Sequence, residues 1–192
     1  MKKLLVFLHC KGGNKTKSAD FAHKTAKKMG CNLLIFDAPF TYSEKDGTFI
    51  WFHKDNNGLA KPQDVQHSIS YVISKIKNSG YQMQDVILCG HSQGGAMAAI
   101  IGMSSNPYAV ISICGDLPIN LNYIPNQSNN TNFYWIEASQ DTYLTNARKN
   151  TYNTLKNNHY NLKYIKAPNS THFDYASDVW TILEKENLCE KY

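Results

Sequence analysis

The segment that most narrows what this chain can become is Gly90-His91-Ser92-Gln93-Gly94-Gly95, because of what flanks it. Before it stands Val86-Ile87-Leu88-Cys89, a continuous apolar run suited to a strand buried on both faces. After it comes Ala96-Met97-Ala98-Ala99-Ile100, which reads as a buried helix. A strand passing straight into a helix through G-x-S-x-G is the context that gives this motif chemical meaning. The serine at the apex takes a strained backbone so that its hydroxyl stands clear. Residues two before and two after it crowd the neighbouring backbone unless they lack a Cβ. Ser92 is the candidate nucleophile, and the competing reading is a glycine-rich turn with no chemistry.

The same rhythm runs along the chain. Apolar, β-rich runs at Leu4–His9, Leu33–Asp37, Val86–Gly90, Ala109–Cys114, Phe133–Ala138 and Lys163–Ala167 predict strands. Stretches at Ser18–Met29, Pro62–Asn78, Gln93–Met103, Leu144–Asn157 and Tyr175–Leu188 predict helices, the first ending in Gly30 and the second opening with Pro62 and ending before Gly80. Alternation of this kind predicts an α/β fold with a mainly parallel sheet, right-handed crossovers and helices on both faces. A chain of 192 residues suits one domain over 1–192, and no insertion is long enough for a large lid. Ala38–Ala60 and Leu117–Thr131 break the rhythm. Both leave the carboxyl ends of predicted strands, where open α/β sheets place their ligand crevice.

Composition removes other classes. With 42% hydrophobic and 12% aromatic residues a core is available, which excludes wholesale disorder. The net charge of +5 is modest and spread along the chain, so no nucleic-acid partner is expected. The opening Lys2-Lys3-Leu4-Leu5-Val6-Phe7-Leu8 imitates a secretory leader, but His9, Cys10 and Lys11 end the apolar run too early, and no run approaches the ~18 residues of a membrane span. Glu190 and Lys191 stand where a prenylation signal after Cys189 would be aliphatic, so no stable membrane anchoring is expected. Cys10, Cys31, Cys89, Cys114 and Cys189 are odd in number and three of them lie at or near the ends of apolar runs, which predicts reduced thiols and a cytoplasmic protein.

A serine nucleophile needs a base, and the base needs an acid to orient it. In a strand-turn-helix elbow the chain order is Ser, then Asp or Glu, then His. Asp141 follows the run Phe133–Ala138, and His172 follows the run Lys163–Ala167 just before the last helix, so both fall on the edge that carries Ser92. Asp116, after the preceding strand, is the rival acid, and Glu137 reads as structural. His9 and His91 lie near the site but away from the base's place; His23, His53, His67 and His159 show no ligand spacing, so no metal is expected. After the first strand, Cys10-Lys11-Gly12-Gly13 forms a turn whose backbone could bind a developing oxyanion. The expected donors are the N–H groups of Lys11 and Gln93, with Cys10 or Gly12 as alternatives to Lys11. The spacing around Gly12-Gly13-Asn14-Lys15-Thr16 does not fit a phosphate loop.

Together these features resemble the phospholipase/carboxylesterase family of α/β-hydrolases, which includes the acyl-protein thioesterases. The likeness covers nearly the whole chain. Its strongest stretch is Val86–Ala98, since the family's elbow commonly reads G-F-S-Q-G-G; weaker echoes are Leu8-His9, Trp51-Phe52, Asp116-Leu117-Pro118, and the placements of Asp141 and His172. His91 replaces the usual aromatic, and Cys10 stands where glycine follows the histidine. Small fungal serine hydrolases share the elbow and are the neighbouring alternative. The resemblance implies a minimal α/β-hydrolase lacking the first hairpin, with a six-stranded sheet of order 2-1-3-4-5-6. It also implies a Ser92-Asp141-His172 triad and no cofactor. Trp51, Phe52 and Leu117 are the candidate substrate contacts, the aromatics of Phe40–Leu59 either walling an acyl site or simply covering the sheet edge. The expected activity is hydrolysis of a carboxylic ester or thioester, on a small molecule or an acyl-protein, through an acyl-enzyme. The alternatives are amide or peptide hydrolysis on the same residues, and a non-catalytic binding module.

Overall fold

Leu4–Leu8 (β1) is apolar at every position and every residue is buried, which requires packing on both faces. The computed structural model describes residues 2–117, 131–142, 152–153, 155–157 and 160–188. In it, β1 pairs in parallel with Asn32–Ile35 (β2) on one side and Val86–His91 (β5) on the other. Ala109–Ile113 (β6), Asn132–Ala138 (β7) and Asn161–Ala167 (β8) extend the sheet, again in parallel. The six-stranded order β2-β1-β5-β6-β7-β8 is the expected 2-1-3-4-5-6 once only sheet strands are counted.

Alternation along the strands sorts side chains to two cores. Leu4, Val6, Leu8, Val86, Leu88, Val110, Phe133 and Trp135 face Pro62–Asn78 (α2) and Gln93–Ser105 (α3). Leu5, Phe7, Ile87, Cys89, Ile111, Ile113 and Ile136 face Lys15–Lys28 (α1) and Ala176–Lys185 (α4). α3 is buried from Gln93 through Met103, which its small and apolar residues Ala96, Ala98, Ala99 and Gly102 allow.

Most elements shift by a few residues at their ends from the sequence reading, and two differences bear on the site. α1 begins at Lys15 rather than Ser18, because Asn14 accepts the Lys17 N–H at 2.8 Å and Asp37, beyond β2, accepts the Lys15 N–H at 2.7 Å. Inside Ala38–Ala60, Phe40–Ser43 (β3) and Thr48–Ile50 (β4) form an antiparallel hairpin that was not expected. It escapes a periodicity argument because its strands are short and their register shifts between Thr41 and Ser43. The expected helix Leu144–Asn157 lies largely outside the described residues, of which 152–153 and 155–157 are helical. Most of Leu117–Thr131 is likewise outside them. Among the described residues no helix is long and apolar enough to cross a membrane.

Candidate active site

Ser92 sits between β5 and α3 with φ 54° and ψ −117°, in the left-handed half of backbone space that an L side chain rarely adopts. The turn is held there by its surroundings. The Ser92 N–H donates to the Ile113 carbonyl at 2.8 Å, and the Ser92 carbonyl accepts the Ala96 N–H at 3.0 Å. A Cβ at Gly90 would stand 2.2 Å from the Gly94 carbonyl oxygen, and one at Gly94 would stand 2.1 Å from that of Leu8. Close approach of strand, turn and helix is therefore available only to glycine. Although serine is a favoured N-cap, the Ser92 hydroxyl makes no capping bond to α3.

That hydroxyl lies 3.1 Å from His172 Nε2 instead. His172 Nδ1 lies 2.8 Å from Asp141 Oδ2. A carboxylate only accepts, so Nδ1 carries the proton of that bond and Nε2 is left to accept from Ser92. The Asp141 side chain is fully buried and the imidazole nearly so, which shields their bond from water, while the bond to Ser92 is only partly buried. The structure thus joins Ser92, His172 and Asp141 in one chain of hydrogen bonds. The His172 contact is made by Asp141 rather than by Asp116.

The loop carrying His172 is tied from several sides. Asp178, in the first turn of α4, accepts from the Asn169 N–H and the Ser170 hydroxyl, each at 2.8 Å. The Ser170 carbonyl accepts the Gln140 N–H, which brings the His172 loop to the Asp141 turn. His91 reaches across from the elbow, its Nε2 2.7 Å from the His172 carbonyl oxygen. Nothing local in the sequence signals that bond.

On the other side of Ser92 the turn after β1 is latched by the β3–β4 hairpin. Gly12 N–H donates to the Phe49 carbonyl, Phe49 N–H to Gly13, and Gly13 N–H to the Cys10 carbonyl. His9 is fully buried; its Nε2 accepts the Ala38 N–H at 3.0 Å and its Nδ1 faces the Cys10 carbonyl at 2.8 Å. Burial lowers the His9 pKa, against the opposing pull of the Cys10 carbonyl and Asp37. Burial likewise raises the Cys10 thiol pKa, with a hydrogen bond to its own backbone and the charge of Lys17 acting the other way.

Trp51 and Phe52 are buried in the core rather than open to solvent, and Leu117 is buried as well. Trp51 Nε1 donates to the His9 carbonyl at 2.8 Å. A cleft of about 310 Å³ opens between the β1–α1 turn, α1 and the start of α4, and Cys10, Lys17, Phe21, His91, Phe173 and Tyr175 are in its lining. His91, Cys114 and His172 bring ligand-type atoms within 4.8 Å of one another. Both His172 nitrogens are already hydrogen-bonded, so a metal there would have to displace the bond to Ser92 or to Asp141.

A parallel sheet with helices on both faces, carrying a serine on a strained strand-to-helix turn, defines the α/β-hydrolase fold. The chain belongs to the phospholipase/carboxylesterase family, whose model matches residues 1–182. It is similar in structure to SOBER1 of Arabidopsis thaliana, with a TM-score of 0.78 and 16% identity over 97% of this chain and 100% of that one. A carboxylesterase of Mesorhizobium loti superposes with a TM-score of 0.79 at 12% identity, covering 97% of this chain and 88% of that one. The Bacillus cereus carboxylesterase does so at 0.78 and 16%, with the same coverage. No curated protein matches the sequence.

Proposed function

We propose that the protein is a serine hydrolase that cleaves carboxylic esters or thioesters, on a small molecule or an acyl-protein, through a Ser92-His172-Asp141 triad. The observation that carries this reading is the hydrogen-bond chain Ser92 Oγ to His172 Nε2 at 3.1 Å and His172 Nδ1 to Asp141 Oδ2 at 2.8 Å. Nε2 takes the serine proton as Oγ bonds to the substrate carbonyl carbon. The carbonyl oxygen becomes an oxyanion, and Asp141 holds the imidazolium that results. Collapse breaks the bond to the leaving oxygen or sulfur, which departs with the proton from Nε2. Water then repeats the sequence on the acyl-enzyme: His172 takes its proton, the acid is released, and Oγ recovers its hydrogen.

The oxyanion is assigned to the N–H groups of Gln93 and Lys11. Gln93 opens α3, where backbone N–H groups and the helix dipole favour negative charge. In the turn after β1 the Gly12 and Gly13 amides are spent on the Phe49 and Cys10 carbonyls, which counts against Gly12 and leaves Lys11, with Cys10 as its alternative. Trp51, Phe52 and Leu117 all belong to the apolar cluster on the α2–α3 face. Trp51 is also bonded to Gln93 beside the nucleophile, so this buried cluster supports the elbow from within rather than meeting an acyl chain directly.

The test is labelling by a fluorophosphonate probe together with turnover of p-nitrophenyl ester and thioester series. The wild type should label and turn over. Ser92→Ala should fold, fail to label and lose on the order of 10³-fold or more in kcat. A Ser92→Ala protein keeping more than a tenth of wild-type kcat would remove Ser92 from this role.

A further inference from the structure

His91 occupies the x position of G-x-S-x-G, next to the nucleophile in sequence, yet its side chain is bonded to the segment that carries the base. Its Nε2 lies 2.7 Å from the carbonyl oxygen of His172. A carbonyl can only accept, so Nε2 must carry the proton. The ring is 4% exposed and is held in place from the far side by Tyr175, with centroids 4.4 Å apart, and its centroid lies 5.0 Å from that of His172. Asp178 and Gln140 fix the loop at residues 169 and 170, upstream of the imidazole. The His91 bond fixes the peptide of His172 itself.

We propose that His91 is a positioning residue: its Nε2–H, by holding the His172 carbonyl, sets the imidazole at hydrogen-bond distance from Ser92. The inference rests on the serine-hydrolase reading above. His91 does not touch the reacting atoms. Its effect is on the angle and distance at which Nε2 meets the serine proton, and misplacement of a catalytic group by about 1 Å can cost on the order of 10²-fold in rate. Placement of a base matters in the transition state more than in the bound ground state, so the loss belongs in kcat rather than KM. In this chain the donor is present and used.

Three variants separate the bond from the packing. His91→Phe keeps a ring against Tyr175 without a donor; His91→Gln places an amide N–H near the position of Nε2 without a ring; His91→Met has the reach of glutamine and no donor. With a p-nitrophenyl ester, His91→Phe and His91→Met should each lose about tenfold or more in kcat, with KM within about threefold of wild type. His91→Gln should stay within about threefold of wild-type kcat. His91 lines the open cleft, so free imidazole should enter His91→Ala and restore part of its activity. If His91→Phe does not fold, the pair His91→Gln and His91→Met carries the comparison alone. His91→Phe equal to wild type, or His91→Gln as impaired as His91→Met, overturns the proposal. Absence of fluorophosphonate labelling in the wild type would instead overturn the serine-hydrolase reading itself.

Discussion

The side-chain amide of Gln93, the residue after Ser92, grips the backbone at Trp51: its Oε1 accepts the Trp51 N–H at 2.9 Å while its Nε2 donates to the next carbonyl, Phe52, at 2.8 Å. Both bonds are buried, and together with Trp51 Nε1 on the His9 carbonyl they fasten the segment after β4 to the elbow and to the turn after β1. The function of Gln93 is therefore divided. Its backbone N–H belongs to the proposed oxyanion site, and its side chain holds the structure over that site. Gln93→Met keeps the length and removes both bonds, leaving a buried N–H and a buried carbonyl without that partner. It should lower unfolding free energy by about 2–6 kcal/mol in urea titrations, since each such orphan costs about 1–3 kcal/mol. An unchanged unfolding midpoint would show that the latch contributes nothing.

Two glycines make opposite predictions for the same substitution. At Gly94 a methyl would stand 2.1 Å from the Leu8 carbonyl oxygen and 2.5 Å from that of His9, so β1 and α3 would have to separate. At Gly80 the backbone is left-handed with φ 81°, but a Cβ meets nothing within 4 Å. Gly80→Ala should therefore cost only the conformational strain, about 1–2 kcal/mol. Gly94→Ala should cost several times that and yield little folded protein. Thermal unfolding of the two variants side by side tests this, and comparable losses would contradict the close-approach argument.

Legibility in the sequence followed the range of the interaction. The helix expected over Pro62–Asn78 is found with those bounds, because its proline start and apolar spacing are local signals. The strands themselves were likewise readable, since continuous apolar runs specify strands buried on both faces, whereas their order came from the resemblance to the family. Placing Asp141 and His172 at strand ends anticipated that His172 lies beside Ser92 and Asp141 beside His172. Contacts between distant segments were not readable. The Gln93–Trp51 bond spans 42 residues and the His91–His172 bond spans 81, and neither leaves a periodicity or a spacing behind. Trp51 and Phe52 illustrate the same limit: their chemistry suits a pocket wall or a core equally well, and burial is decided by the hairpin that periodicity did not reveal.

The acid can be tested by two substitutions of the same kind. Asp141 holds His172 Nδ1 at 2.8 Å and is buried, whereas Asp116, after β6, is partly exposed. Asp141→Asn replaces an acceptor by a group that can also donate, which favours the tautomer with the proton on Nε2, facing Ser92. In a triad such a change lowers kcat on the order of 10³- to 10⁴-fold. Asp116→Asn should stay within about tenfold of wild type. If Asp116→Asn proved the more damaging by tenfold, the acid would have to be reassigned.

The buried His9 should make stability depend on pH in a narrow window. Its folded-state pKa is lowered by burial, so between that value and the ordinary value of about 6.5 the unfolded chain binds a proton that the folded chain refuses. Protonated His9 would have to surrender the Ala38 N–H, because Nε2 could no longer accept it. The sign follows from the excess of protons on the unfolded state: stability is full above about pH 6.5 and falls as pH drops below it, with a slope of up to about 1.4 kcal/mol per pH unit. Asp64 acts elsewhere, because a carboxyl lowered by its bonds to His53 loses its stabilisation only in the more acidic carboxylate range. His9→Gln supplies an oxygen that can accept the Ala38 N–H and does not titrate. Urea unfolding at pH 7, 6 and 5 should show the wild type losing more stability on acidification than His9→Gln, whatever the offset between them at pH 7. Parallel pH dependences would show that His9 takes up its proton as readily folded as unfolded, and the burial argument at the turn after β1 would fall with it.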